Sequence, residues 1–177
     1  MKMQLQKVRS SAVIPEYQTE GAVGCDLHAC LEERVVIPPL KRAVVPTGIA
    51  VAIPTGFEGT IRMRSGLSAK YGFFCVNGVG TIDSDYRGEL GVIVGNMNVS
   101  KPIYIDNEDR IAQLVISPVT IAELSVVDNL PSTARGTGGF GSTGVGENDD
   151  SVQGVQCDEV EGESISRGEG AGLVEPE

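Results

Sequence analysis

Short apolar runs punctuated by Gly and Pro recur along the first two thirds of the chain. Strand-like segments fall at residues 4–9, 23–29, 34–37, 43–45, 49–53, 60–63, 73–76, 89–96, 102–105 and 111–119. Val and Ile dominate them, and β-branched side chains suit a pleated, half-buried surface. Breakers such as Pro38-Pro39, Pro46-Thr47-Gly48 and Pro54-Thr55-Gly56 separate them. A helical period of 3.6 appears only over residues 66–71, where Ser65 is placed to cap a short helix. Residues 80–89 alternate apolar and polar side chains into a turn and leave through Leu90-Gly91-Val92-Ile93-Val94, which predicts a hairpin. The pattern as a whole predicts an all-β jelly-roll sandwich or barrel with one short helix.

The pattern changes after Pro131. Arg135-Gly136-Thr137-Gly138-Gly139-Phe140-Gly141-Ser142-Thr143-Gly144 holds too much Gly for a strand and reads as a flexible arm that orders around a ligand. Residues 145–177 are polar and acidic, which predicts disorder, because they cannot bury enough surface to offset the ordering entropy. Three segments are therefore expected: a domain over 1–134, an arm over 135–144 and an acidic tail over 145–177.

Composition narrows the function classes. Aromatics make up only 5% of the 177 residues and Trp is absent, so aliphatic side chains must build the core. The tail holds ten acids against the single base Arg167, so it accounts for almost all of the net charge of −10. The rest of the chain is close to neutral and can take an anionic ligand on a few well-placed Arg. The tail itself would repel nucleic acid and anionic membranes. Cys25, Cys30, Cys75 and Cys157 show no CxxC spacing and only one His is present, so reduced structural thiols are expected rather than a zinc site. The first seven residues lack an apolar signal core and no run is long enough to span a bilayer. This predicts an intracellular, cytoplasmic protein, with nuclear or viral settings equally compatible.

The densest chemistry lies in Gly80-Thr81-Ile82-Asp83-Ser84-Asp85-Tyr86-Arg87-Gly88-Glu89. Two Asp in a tight turn repel each other and are poor strand formers, so folding alone gives little reason for them. Arg64-Ser65-Gly66 offers a guanidinium, a hydroxyl and free backbone N–H groups at a helix start, which suits phosphate, although taken alone an ordinary helix cap is the better reading. In the arm, glycines let backbone N–H groups approach phosphate oxygens, and Arg135, Ser142 and Thr143 add charge and hydroxyls. Phe140 there is either a packing anchor or a lid that stacks on a planar ring. Asn77, flanked by Gly78 and followed by Gly80, can read a pyrimidine edge through its amide and the neighbouring backbone, or simply make a turn. Asp26 and Gln113 are single polar residues in apolar strands, each explained by a salt bridge or buried hydrogen bond. His28 reads as surface or structural.

Taken in order, five motifs resemble those of the trimeric dUTPase family. They are Gly24-Cys25-Asp26-Leu27-His28-Ala29, Arg64-Ser65-Gly66-Leu67, Asn77 through Glu89, Asp109-Arg110-Ile111-Ala112-Gln113-Leu114-Val115, and Arg135 through Gly144. The third and fifth are highly specific. The resemblance implies a jelly-roll homotrimer with active sites shared between subunits, which cleaves dUTP to dUMP and pyrophosphate. It implies that Asp83 is the general base, that Asn77 and the backbone near Gly80 bind uracil, and that Tyr86 packs on the deoxyribose and excludes a 2′-hydroxyl. It likewise implies that Arg64, Ser65, Gly66 and Gln113 bind phosphates, and that Arg135, Phe140, Gly141, Ser142 and Thr143 close over the nucleotide. Mg2+ would be held by triphosphate and water rather than directly by protein, with Asp26 nearby.

Two positions depart from the family pattern. Met63 stands where a Pro often precedes Arg-Ser-Gly, and Glu108 stands where a Gly usually precedes Asp-Arg, so altered loop geometry is expected at both. Two other functions are compatible with these residues. One is a dCTP deaminase of the same fold. The other is a nucleotide-gated binding protein whose acidic tail recruits a basic protein partner.

Overall fold

The computed structural model describes residues 1–142. Thr143, Gly144, Cys157 and the acidic tail expected over 145–177 lie outside the described residues. The chain divides into one unit over Met1–Leu124 and a second that begins at Ser125.

The first unit is antiparallel β throughout, with one helix. Its elements are β1 (Gln4–Lys7), β2 (Gly24–His28), β3 (Val35–Ile37), β4 (Arg42–Pro46), β5 (Ile49–Ala52) and β6 (Phe57–Met63). They continue through α1 (Ser65–Tyr71), β7 (Phe73–Cys75), β8 (Gly80–Ile82), β9 (Gly91–Asn96), β10 (Ile103–Ile105) and β11 (Arg110–Pro118). A four-stranded sheet runs β2-β11-β6-β8, a three-stranded sheet runs β4-β9-β7, and two-stranded ribbons pair β1 with β5 and β10 with β3. This is the all-β jelly-roll fold that the apolar runs predict.

One core joins the sheets. Leu27, Ile61 and Leu114 from the four-stranded sheet cluster with Val45, Val92 and Val94 from the three-stranded sheet and with Ile49 of β5. Each such side chain, fully buried, contributes about 1.5–3 kcal/mol of transfer free energy. Among the buried polar residues Asn96 and Thr47 are hydrogen-bonded, whereas Thr60 Oγ1 has no partner among the described residues. Asn96 donates to the carbonyls of Ile37 and Lys101 at 2.9 and 2.8 Å and accepts from Asn98, so it ties the end of β9 to two neighbouring segments. Thr47 donates to the Leu90 carbonyl at 2.7 Å. Cys25, Cys30 and Cys75 are free and buried, and burial pushes the Cys25 thiol pKa up.

Three local expectations change. The helix starts at Ser65 rather than after it. Arg64, in extended backbone (φ −72°, ψ 127°), takes the N-cap position without a side-chain cap, and Ser65 becomes the first helical residue. Its hydroxyl is therefore not used to cap the helix. Residues 80–82, read as one arm of a hairpin, form β8 beside β6, whereas the arm expected after the turn forms β9 between β4 and β7. The 83–90 segment is thus a crossing between two sheets and not a hairpin. Ile82 pairs into the sheet of β6 and Val92 into that of β4, and both pack on the core that the sheets share.

The described part of the second unit, 125–142, contains no helix or strand. Arg135 folds back locally, with Nε donating to the Gly138 carbonyl at 2.8 Å, and Gly138 N–H returns a bond to the Arg135 carbonyl at 3.1 Å. Phe140 is fully exposed and has positive φ (46°).

Candidate active site

Asp26 is the hub of the first cluster. It is 1% exposed, and its Oδ1 accepts from Gln113 Nε2 at 3.0 Å while its Oδ2 accepts from Arg110 Nη1 at 3.3 Å. Arg64 Nε lies 3.7 Å from Oδ1. A carboxylate this deeply buried is costly unless paired, and two guanidinium groups offset that cost. Arg64 also donates to the Arg110 carbonyl at 3.1 Å, which fixes the helix start to β11.

Backbone register explains the convergence. Gln113 sits directly opposite Asp26 in β2 on one side and Arg62 in β6 on the other. Three residues apart on a regular strand, Arg110 and Gln113 would face opposite sides of the sheet. A bulge between Arg110 and Ala112 shifts the register by one, so that Arg110 faces His28 and both side chains reach Asp26. Arg110 falls within a sequence motif, but nothing in the sequence singles it out as a site residue. Register shifts leave no mark in an apolar-polar pattern.

The second cluster follows β8. Asp83 opens a turn closed by Tyr86 N–H to the Asp83 carbonyl at 3.2 Å, and the Asp83 side chain is exposed. The Tyr86 hydroxyl donates to the Glu89 carbonyl at 3.0 Å, which lays the ring against Gly88. A Cβ at Gly88 would stand 2.3 Å from the Tyr86 oxygen, so only glycine permits this placement. Arg87 donates to the carbonyls of Ser84 and Tyr86 and braces the turn from outside. Glu89 holds the far end: it accepts from the buried Gly48 N–H at 2.7 Å and from Arg9 at 2.9 Å. Asn77 lies on the neighbouring loop between β7 and β8. That loop is closed by Gly78 N–H to the Cys75 carbonyl at 2.9 Å, with Gly78 at φ 73°.

The groove beside the first cluster does not reach the second, although Arg64 follows β6, the strand that pairs with β8. Asp26 lies on β2 and Asp83 follows β8, at opposite edges of the four-stranded sheet, about 14 Å apart by strand spacing alone. An open groove of about 820 Å³ borders the first cluster through Arg64 and Arg110. Lys70 and Lys101 add positive charge to it, and its lining includes none of Asn77, Asp83 or Tyr86. The groove suits an anion but lacks the parts that would read a base. His28 faces a smaller cavity, and its Nδ1 has no hydrogen-bond partner among the described residues.

No group of three His, Cys, Asp or Glu side chains converges among the described residues. The oxygens of Asp26 are occupied by Arg and Gln, so this donor set suits phosphate oxygens, or a cation that arrives already bound to phosphates. It does not suit a bare divalent ion.

The sequence profile of the dUTPase family matches residues 10–144. A deoxyuridine 5'-triphosphate nucleotidohydrolase from Wolinella succinogenes is 53% identical over 144 residues, which cover 81% of this chain and 95% of the relative. Among solved structures, Staphylococcus bacteriophage 80alpha dUTPase with dUPNHPP matches at a TM-score of 0.74 and 32% identity, covering 81% of this chain and 99% of that one. A mutant dUTPase from phage phi11 of S. aureus, whose structure reveals the coordination of a structural Mg(II) ion, matches at 0.66 and 28% identity, covering 73% and 98%. These matches favour the dUTPase reading over the deaminase one. With a profile spanning most of its length and solved dUTPases sharing its fold, this chain belongs to the dUTPase family.

Proposed function

We propose that the protein hydrolyses dUTP to dUMP and pyrophosphate by water attack on the α-phosphorus. It would thereby limit uracil incorporation into DNA and supply dUMP for thymidylate synthesis. The observation that carries this reading is the braced 83–89 segment, where an exposed Asp83 and a Tyr86 ring laid over Gly88 are held by four side chain to backbone bonds. Asp83 takes the proton of the attacking water, a task that suits an acceptor-only carboxylate. Asn77 and the backbone at Gly80 receive uracil, and the Tyr86 ring receives the deoxyribose. Arg64, Ser65, Gly66 and Gln113 bind the phosphates, and their charge and dipoles stabilise the transition state. Arg135, Phe140, Gly141, Ser142 and Thr143 form the arm that closes over the nucleotide.

Two further parts of the proposal follow from the divided site. A second copy supplies the missing half, which supports a homotrimer with shared sites. Apolar side chains left exposed support an assembly, including Ile121, Leu124, Val126 and Leu130, each at least 84% exposed. The cofactor would be magnesium, which would neutralise part of the triphosphate charge. Arg64 and Gln113 would hold the metal-bound triphosphate, and Asp26 anchors both side chains.

Pyrophosphate release tests the reading. With Mg2+ present, dUTP should be cleaved while dCTP, dTTP and UTP are left largely intact. Asp83→Asn should bind dUTP yet lose turnover by about 10²–10⁴-fold. Tight dUTP binding without pyrophosphate would shift the reading to the nucleotide-gated binding protein, and ammonia from dCTP would shift it to the deaminase.

A further inference from the structure

Asn77 carries an amide whose two ends are chemically opposite and nearly identical in shape, so its usefulness in reading a base depends on which end faces outward. The structure holds one end. Cys75 closes β7 opposite Val94 of β9, where it is buried, and its Sγ donates to Asn77 Oδ1 at 3.1 Å. On the other side, Asn77 Nδ2 lies 3.3 Å from where a Cβ on Gly80 would stand, and Gly80 is itself buried and paired with Ile61 of β6. The amide is therefore seated between a thiol on one strand and a bare Cα on the next. Its oxygen is engaged and its nitrogen keeps hydrogens to donate.

We infer that Cys75 is a positioning residue for base selection: its thiol holds the Asn77 amide so that a donor is presented to the base. This rests on the reading of Asn77 as the residue that meets the pyrimidine. A fixed donor pairs with a uracil carbonyl oxygen and opposes the amino group of cytosine. Without the thiol, the amide turns over at little cost, presents its oxygen, and accepts from that amino group. Selectivity of this kind, built on a polar mismatch, exceeds what pocket shape alone supplies.

Steady-state kinetics on the full-length protein decide the matter, using dUTP and dCTP with Cys75→Val, Cys75→Ala, Cys75→Ser and Asn77→Ala. Both apolar variants should raise KM for dUTP about three- to tenfold, with kcat nearly unchanged, and narrow the preference for dUTP over dCTP by a similar factor. Cys75→Ser, which restores a donor, should restore the preference. A purely packing role would not be rescued by a hydroxyl. Val and Ala differ in bulk, so a folding defect in one leaves the other to report. Unchanged preference in the apolar variants, with Asn77→Ala losing it, overturns the role of Cys75 alone. Full preference retained in Asn77→Ala overturns the reading of Asn77 and the inference with it.

Discussion

Glu108 is held at φ 67°, a left-handed conformation that favours glycine. The turn fixes it there, because Glu108 N–H donates to the Ala29 carbonyl at 2.9 Å and Asp109 N–H to the Asp106 carbonyl at 3.2 Å. This gives the physical reason why Gly is usual at this position, and nothing in the structure explains why Glu stands there instead. Glu108→Gly should relieve about 1–2 kcal/mol of strain, partly offset by the greater freedom of Gly in the unfolded chain. The expected net effect is a melting temperature raised by a few degrees, readable by calorimetry, with activity preserved. Single residues were otherwise well legible. Asp26 and Gln113 read as lone polar residues in need of a buried partner, and they bond to each other at 3.0 Å. Arg110 was not legible as their third partner, because a one-residue bulge decides which face it takes.

Strands were legible as segments, since β9 and β11 announce themselves through runs of Val, Ile and Leu, whereas their partners were not. Pairing is a long-range choice, and the 80–94 stretch looks locally like a hairpin although its two halves join different sheets. The crossing needs an anchor, and Glu89 provides it through the buried Gly48 N–H. Glu89→Ala should leave that donor unpaired and cost about 1–3 kcal/mol, seen as a lower denaturation midpoint, even though the residue touches no substrate in the proposed mechanism. The arm makes the opposite prediction. Its described part has only local turns and a fully exposed Phe140. Deleting residues 135–144 should therefore lower kcat through loss of closure while the melting temperature stays put. A collapsed melting temperature would make the arm structural.

At the scale of the whole molecule, the matched family span ends at residue 144, so the acidic segment carries most of the net charge outside it. Within that span the candidate residues are spread across the four-stranded sheet, with Asp26 on the β2 edge, Gln113 and Arg64 in or just after the inner strands β11 and β6, and Asp83 just after the β8 edge. In the proposed shared sites one copy supplies Arg64 and Gln113 and its neighbour supplies the Asp83 turn, so a defect in one part does not disable the other part of the same polypeptide. Two inactive alleles should then rescue each other. Co-expressing Asp83→Asn with an Arg64→Ala chain should assemble mixed oligomers in which about a quarter of the sites draw both halves intact, although neither parent is active alone. In a cell carrying both genes, that sharing would appear as complementation between two null mutations.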